Sequence, residues 1–245
     1  MQKYKIKTLG NEFVVVCTGF GIESAAASRS VSENCAVIEI KNDLRCDYRI
    51  SLPAQECVFL PDIKRALLIF LHRIRGLPSA DYDLIEDKSE RCIRLPYFSG
   101  LYGGNVGKCK LLSSKKCDTC SKNGIELYMI EAPDGIYIIV VCDNPFAVDL
   151  KNIISVSVAD ESFGGKLRGA VAVCVNDLEI KMVSKTFQGN EMSDTSAYAA
   201  VSFLMSLLFD LSPSVIRCGE YVAKCDLDGT SVFVYDLSPK VYSLI

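Results

Sequence analysis

Two aspartates stand at the start of the two longest apolar helical patterns in the chain. Asp62 follows Pro61 at the start of the first pattern, and Asp194 follows Ser193 at the start of the second. Carboxylates whose pKa is raised by burial act as general acids and bases, so a matched pair of aspartates could move a proton on and off a substrate carbon. Aspartate is also favoured at a helix start, where it accepts a backbone N–H. Both interpretations stay open, and the second is the commoner one.

Four of the 12 cysteines have spacings that suggest a metal site. Cys109, Cys117 and Cys120 contain one Cys-x-x-Cys pair, and Cys92 lies upstream. A structural zinc site usually has two close ligand pairs, whereas this stretch has one pair and is rich in Lys and Ser. The spacing therefore favours a redox-active or simply reduced pair, and no metal ligand is assigned. The other cysteines lie mostly in apolar runs, where a reduced thiol packs as a small hydrophobe.

No cofactor is expected from the glycine pattern. Gly103-Gly104 and Gly164-Gly165 are predicted to lie in loops, and neither pair matches a phosphate-binding motif. The net charge of −3 gives no electrostatic reason to expect a nucleic acid partner.

The elements that would position the aspartates follow from hydrophobic periodicity. In the first half, strand-like runs precede a helix predicted from Pro61 to Arg75, with Gly76 just beyond its end. In the second half, apolar runs flank Pro133-Asp134-Gly135 and Asn176-Asp177, which predicts two hairpins, and a helix is predicted from Ser193 to Leu211. The stretch 79–125 is polar and glycine-containing and is predicted to be irregular.

Both halves thus place mostly antiparallel strands around one apolar helix, and the two helices begin about 130 residues apart. The pattern predicts an α+β protein built by internal duplication, with lobes 1–115 and 116–245, in which the last strand could pair back with the first lobe. The longest apolar stretch, Ala197 to Phe209, has 13 residues, too few for a membrane span of about 18 or more, and is expected to be a buried helix. With no export signal visible, a cytoplasmic location is expected, and no membrane partner.

Several motifs occur in an order that resembles the diaminopimelate epimerase family. The run from Leu9 to Val16, LGNEFVVV, is similar to the opening GLGNDFVVVD of that family, and Asp143 to Phe146 follows a strand as its GNPH motif does. Tyr48-Arg49-Ile50 and Arg75-Gly76-Leu77 bracket the first helix in the family's YRIFN…RGL arrangement. The resemblance implies two pseudo-symmetric lobes, each a sheet rolled around a central helix, with a cofactor-independent active site in the cleft between them.

The resemblance also implies two catalytic cysteines, one before each helix, and this chain lacks both. Pro61 and Ser193 fall on those positions, and neither provides a thiol. Asp62 and Asp194 put negative charges where the family holds a substrate carboxylate. Of the family's polar ligand-binding positions, Asn11 and Asn144 remain.

Three hypotheses about function follow. The leading one is a catalytically degenerate relative that binds an amino-acid-like molecule or a protein partner in or near the cleft, with a homodimer or a heteromer with an active homologue as possible assemblies. The main alternative is an active isomerase in which Asp62, Asp194 or Ser193 transfers protons on a different substrate. The third is a structural protein whose cleft is filled by side chains such as Leu60, Phe146 and Tyr198.

Overall fold

The computed structural model describes residues 2–17, 36–42, 47–51, 60–74, 76, 81–85, 92–96, 101–117, 125–158, 166–176, 179–190 and 194–244. These residues are mostly β-sheet, with three α-helices. The helices are α1 (Leu60–Arg73), α2 (Leu150–Val158) and α3 (Thr195–Phe209), and one 3₁₀ turn covers Pro145–Ala147. The strands are β1 (Gln2–Thr8), β2 (Asn11–Cys17), β3 (Ala36–Asn42), β4 (Asp47–Ser51), β5 (Asp81–Ile85), β6 (Cys92–Pro96), β7 (Tyr102–Lys108), β8 (Lys110–Cys117), β9 (Ile125–Ala132), β10 (Gly135–Val141), β11 (Leu167–Asn176), β12 (Glu179–Thr186), β13 (Ser214–Cys218), β14 (Tyr221–Asp228), β15 (Ser231–Asp236) and β16 (Lys240–Leu244).

The chain divides into two compact units. Unit 1 comprises Met1–Gly104 and Ser238–Ile245, and unit 2 comprises Asn105–Leu237. Unit 1 contains a five-stranded sheet in the order β16-β1-β2-β3-β4 and the antiparallel pair β5–β6. Strand β16 pairs antiparallel with β1, so the end of the chain completes the sheet that its beginning starts.

Helix α1 contributes most of the buried side chains in the apolar core of unit 1. Pro61 suits the first turn because its φ is already helical and its missing N–H has no helical partner there, and Gly76 lies beyond the last turn with a φ of +64°. Residues 65–71 are all buried, which is more than one amphipathic stripe, and the helix packs against β1 and β2. At its C-terminal end the Arg73 Nη1 donates to the Pro239 carbonyl oxygen at 2.8 Å.

Unit 2 contains a nine-stranded sheet that is curled. Its strand order is β7-β15-β14-β13-β12-β11-β10-β9-β8. Strands β7 and β8 stand at opposite ends of that order, yet only Cys109 separates them in the chain, so the two edges of the sheet must converge there. The approach is close: Gly107 has a φ of +132°, and a Cβ on it would lie 2.6 Å from Pro133 Cγ in the β9–β10 turn.

The two helices of unit 2 pack on different faces of this sheet. Helix α2 lies in the crossover between the parallel strands β10 and β11 and packs on the even-numbered side chains of β10, such as Ile138 and Val140. Helix α3 contacts strands on both sides of the curl, β9–β11 and β13–β15. Its residues 195–205 are all buried, as expected for a helix covered on several sides.

The predictions for the strongest patterns are confirmed. The predicted helices 61–75 and 193–211 correspond to α1 and α3 with ends shifted by one or two residues, and both predicted hairpins are present as β9–β10 and β11–β12. The 13-residue apolar stretch forms most of α3. Among the described residues, no helix combines the length and apolar character needed to cross a membrane.

The prediction of an irregular stretch from 79 to 125 is wrong. Four strands, β5 to β8, lie in it, and Gly103-Gly104 belong to β7 instead of a loop. Glycine and lysine are uncommon in strands, but β7 and β8 are edge strands, where glycine allows close backbone approach and lysine is tolerated in solvent. Gly164-Gly165 lie outside the described residues.

Candidate functional site

Asp62 of unit 1 lies in the first turn of α1 and forms a buried ion pair. Its Oδ1 accepts a hydrogen bond from Arg65 Nη2 at 2.5 Å, one helical turn further on. The Arg65 Nε donates to Thr8 Oγ1 at 2.6 Å, which ties the helix to the end of β1. The side chains of Asp62 and Arg65 are 5% and 1% exposed, so neither charge is hydrated to any extent. The carboxylate is therefore already used to balance the guanidinium.

Asp194 of unit 2 is the N-cap of α3. Its backbone is extended, with φ −142° and ψ 159°, and its Oδ1 accepts from the Ala197 N–H at 2.6 Å. This is the geometry by which a capping side chain satisfies a backbone donor that the helix itself leaves unbonded. The structure thus places Asp194 in the helix-start role that its sequence position suggested. Ser193 lies outside the described residues.

A buried tyrosine joins Asp194 to a second carboxylate. The Tyr137 hydroxyl lies 3.0 Å and 3.2 Å from the two carboxylate oxygens of Asp134, and 3.2 Å from both oxygens of Asp194. Arg168 Nε lies 3.4 Å from Asp134 Oδ2 on the outer side of this cluster. The single phenol proton is donated to the nearer carboxylate, Asp134. We call Asp134, Tyr137, Arg168 and Asp194 the tyrosine cluster.

The environment of Tyr137 keeps its phenol protonated. Burial, and then the negative charges of Asp194 and Asp134, raise the pKa of Tyr137 well above its ordinary value. The phenol is consequently a donor that lies between two carboxylates near the start of α3, and it is a poor general base at neutral pH.

Besides the Ser113 hydroxyl in β8, two polar groups at or beside predicted site residues are buried without a hydrogen-bond partner in the part of the chain that the structure describes. One is Asn11 Nδ2, at the start of β2, and the other is the hydroxyl of Ser196, in the first turn of α3. An unsatisfied buried donor costs free energy comparable to a lost hydrogen bond. Both groups are therefore able to gain from a ligand that brings an acceptor.

Asn144, the other predicted ligand position, has a local structural contact. It is exposed and is the N-cap of the 3₁₀ turn, where its Oδ1 accepts from the Phe146 N–H at 3.1 Å. Phe146 itself is 78% exposed, whereas Tyr198 is fully buried within unit 2. Of the side chains named for a filled cleft, Tyr198 is thus a core residue of its own unit, Phe146 is a surface residue, and that of Leu60 lies outside the described set.

Of the four cysteines considered for a metal site, only Cys109 has a side chain within the described residues. Cys109 is buried between β7 and β8, and burial together with the nearby charge of Asp134 raises its pKa to about 12. A thiol of this kind stays protonated and unreactive at neutral pH. Cys120 and the side chains of Cys92 and Cys117 lie outside the described residues. Within the ranges that are described, no group of three or more His, Cys, Asp and Glu side chains could hold a metal ion.

Prediction from the sequence did not identify the residues that hold these aspartates in place. The spacing of Asp62 and Arg65, three apart on a helix, is a signal that could have found the ion pair. The tyrosine cluster has no such local signal, because it brings together a turn, two strands and a helix start. Tyr137 and Asp194, for example, are 57 residues apart in the sequence.

Comparison with known proteins identifies the fold. No protein-family model and no curated protein sequence matches the chain. Among solved structures, a PhzC/PhzF phenazine biosynthesis protein from Clostridium difficile matches with a TM-score of 0.68, 10% identity, and coverage of 100% of this chain and 98% of that one. A phenazine biosynthesis protein of the PhzF family from Enterococcus faecalis matches with a TM-score of 0.65, 10% identity, and full coverage of both chains. A predicted epimerase from Pseudomonas aeruginosa matches with a TM-score of 0.58, 14% identity, and coverage of 100% and 98%. The structural similarity establishes the fold, whereas sequence identities this low leave the activity open. The chain therefore has the diaminopimelate epimerase-like fold that these proteins share.

Proposed function

We propose that this chain is a catalytically degenerate relative of the epimerase-like isomerases and that it acts by binding. The observation that carries the proposal is that both aspartates at the helix starts are engaged within their own units. Asp62 balances Arg65, and Asp194 caps α3 and contacts Tyr137. An aspartate engaged in this way must give up its contact before its carboxylate can take a proton from a substrate.

The residues at the two positions of the family's cysteines support the same proposal. Pro61 has no ionisable group, and the alcohol of Ser193 has a pKa far above that of a thiol, which is about 8.5. Asp194 also places a negative charge at a helix start, where a substrate carboxylate would be repelled, and the Asp62–Arg65 pair leaves no uncompensated positive charge at the other helix start. Relative to the family, this chain therefore lacks both the proton-transfer groups and the site for the substrate carboxylate.

Binding is supported by two buried donors, at or beside predicted site residues, that have no protein partner among the described residues. The Asn11 amide, in unit 1, is suited to a carbonyl or carboxylate oxygen, and the Ser196 hydroxyl, in unit 2, to any acceptor. The isomerase-type neighbours make an amino-acid-like molecule the first class to test. A protein partner, either a second copy of this chain or an active homologue, is the second class.

Internal duplication belongs to this proposal. In the part of the chain that the structure describes, each unit has one helix whose side chains are buried over most of its length, α1 in unit 1 and α3 in unit 2. The two begin about 130 residues apart in the sequence. In a duplicated ancestor both helix starts would have carried the same chemistry, and both have lost it here.

The alternative is an active isomerase of changed mechanism, and the epimerase-fold neighbours favour it. It would use Asp62, Asp194 or Ser193 to transfer protons. In that case Asp62 must leave Arg65, or Asp194 must leave the Ala197 N–H, during turnover.

The binding proposal is tested by ligand-observed NMR with a panel of amino acids that includes diaminopimelate. We expect one member or more to bind the unaltered chain, and Asn11→Ala or Ser196→Ala to weaken that binding about 3- to 10-fold, the effect of one lost hydrogen bond. Asn152→Ala, an exposed change in α2, is the matched control and should bind as the unaltered chain does. A ligand that binds all four proteins equally would refute a role for either donor.

Ser196→Ala also separates binding from folding. Since the hydroxyl is buried and has no hydrogen-bond partner among the residues that the structure describes, its removal should leave the free energy of unfolding unchanged or raise it by up to about 1 kcal/mol. A loss of stability of more than about 1 kcal/mol would show that Ser196 is a structural residue and remove it from the binding proposal.

A further inference from the structure

Cys142 and Cys174 are neighbours on two parallel strands. The register of β10 and β11 pairs Val140 with Ala172 and Val141 with Val173. The next step brings Cys142 beside Cys174, and the Cys142 N–H continues the ladder by donating to the Val173 carbonyl oxygen at 2.9 Å. Adjacent strands lie about 4.8 Å apart, which is inside the range of about 4.4–6.8 Å for the Cα atoms of a disulfide.

The two thiols also share a face of the sheet. The even-numbered residues of both strands, among them Val140 and Ala172, form the cluster that packs against α2, and Cys142 packs on this cluster. Because side chains alternate along a strand, Cys174 points to the same face two residues beyond Ala172. The Cys142 thiol leans toward β11, with its Sγ 3.6 Å from the Val173 carbonyl oxygen.

One member of the pair is accessible and the other is shielded. Cys142 is half-buried and precedes the exposed residues Asp143 and Asn144, whereas Cys174 is buried. Both are free thiols. This is the arrangement of an attacking cysteine with a resolving cysteine behind it.

We propose that Cys142 and Cys174 form an oxidisable pair that a hydroperoxide converts to a disulfide. The Cys142 thiolate attacks one peroxide oxygen, the O–O bond breaks, and a sulfenic acid forms while water or an alcohol leaves. The Cys174 sulfur then attacks the Cys142 sulfur and the S–O bond breaks, and the departing hydroxyl takes up the Cys174 thiol proton and leaves as water. The two thiols lose two electrons and two protons, and the peroxide is reduced.

The environment of Cys142 sets the pH dependence of the first step. Burial, and then the charges of Cys174 and Asp143, raise the pKa of Cys142 above its ordinary value. Only the thiolate reacts, so oxidation is slow at neutral pH. Below the pKa the thiolate fraction rises about tenfold per pH unit, and the initial rate should rise by about the same factor between pH 7 and pH 8.

Peptide mapping of the folded chain after treatment with hydrogen peroxide tests the pair directly. Unreacted thiols are alkylated while the protein is unfolded in denaturant, so that buried thiols are also blocked and cannot exchange with the disulfide, and the chain is then digested with trypsin. Cleavage after lysine and arginine places Cys142 on peptide 123–151 and Cys174 on peptide 169–181, each with a single cysteine. We expect these two peptides to appear as one linked species that lacks two hydrogens and is separated again by a reductant.

Variants provide the controls. Cys142→Ser and Cys174→Ser should each abolish the linked species, and Cys218→Ser, a change at another half-buried cysteine, should leave it unaltered. The mapping of the unaltered chain decides the question even if a variant fails to fold. Oxidation of Cys142 to the sulfinic acid without linkage, or its linkage to any other cysteine, would overturn the proposal.

Discussion

The carboxylate of Asp62 and the guanidinium of Arg65 neutralise each other inside unit 1, so changing one leaves the other charge buried and unbalanced. Asp62→Asn should lower the free energy of unfolding by about 3–5 kcal/mol. The double variant Asp62→Asn, Arg65→Met should lose much less free energy of unfolding, because neither charge of this pair remains. Urea unfolding followed by circular dichroism measures both values.

Arg217 and Glu179 supply the matched control for that prediction. Their ion pair is of similar length, 2.7 Å, but the Arg217 side chain is 44% exposed. Arg217→Met should therefore cost no more than about 1 kcal/mol. A cost for Asp62→Asn as small as this would mean that Asp62 is not held by Arg65 and would leave it available for chemistry.

Tyr137 should make unit 2 sensitive to alkaline pH. Its pKa is raised in the folded chain, mainly by burial, so the folded state keeps a proton that the unfolded state loses above about pH 10. The stabilisation is complete below that pH and is lost as the pH rises toward the folded-state pKa. Above pH 10, the free energy of unfolding of the unaltered chain should fall by up to about 1.4 kcal/mol per pH unit more than that of Tyr137→Phe.

The measurement is the free energy of unfolding in urea between pH 8 and pH 11. Other tyrosines titrate in both proteins, so the difference between the two curves isolates Tyr137. Tyr242→Phe, at a half-exposed position in β16, is the control and should follow the unaltered chain. Parallel curves for Tyr137→Phe and the unaltered chain would contradict the burial of the phenol between two carboxylates.

At this scale the sequence reveals only those contacts that are local. An aspartate just before a helix predicts the cap formed by Asp194, and the spacing of Asp62 and Arg65 permits an ion pair within one helical turn. The contacts of Tyr137 depend on which strands become neighbours. No pattern within a single element contains that information.

Among the elements, strand β7 is the one most constrained by its surroundings. Gly107→Ala would place a methyl group 2.6 Å from Pro133 Cγ and force a non-glycine residue to a φ of +132°. Overpacking of this kind costs about 1–3 kcal/mol, and the positive φ adds to that cost. The variant should be destabilised by about 2 kcal/mol or more in thermal or urea unfolding.

Gly104→Ala is the matched control in the same strand. A Cβ on Gly104 meets no atom within 4 Å, so the change should alter stability by no more than about 0.5 kcal/mol. Equal effects of the two substitutions would contradict the close approach of β7 to the β9–β10 turn, and with it the convergence of the two sheet edges.

Elements with strong periodicity could be predicted, and elements defined by their neighbours could not. Helices α1 and α3 and the hairpins β9–β10 and β11–β12 are apolar and have clear ends. Helix α2 was missed because its sequence, LKNIISVSV, is rich in β-branched residues, which favour strands, and it is helical because it packs across β10 and β11. Strands β7 and β8 were missed because pairing at a sheet edge overrides their glycine and lysine content.

For the whole molecule, the structure establishes the fold and changes the meaning of the two aspartates. The coarse prediction from motif order, an epimerase-like fold, is supported by structural neighbours that cover the full chain at 10–14% identity. The same aspartates that could have formed an acid/base pair have partners within their own units. A fold persists at low identity while proton transfer depends on a few side chains, so the shared fold does not by itself assign an activity to this chain.

The most direct test of this account is α-proton exchange in D₂O, followed by ¹H NMR, with diaminopimelate and the common amino acids. Because Asp62 is paired with Arg65 and Asp194 caps α3, we expect the α-proton signals to decay no faster with the protein than in buffer alone. Exchange by the unaltered chain that disappears in the Asp62→Asn, Asp194→Asn double variant, with folding verified by circular dichroism, would contradict the account and establish an isomerase that uses carboxylates.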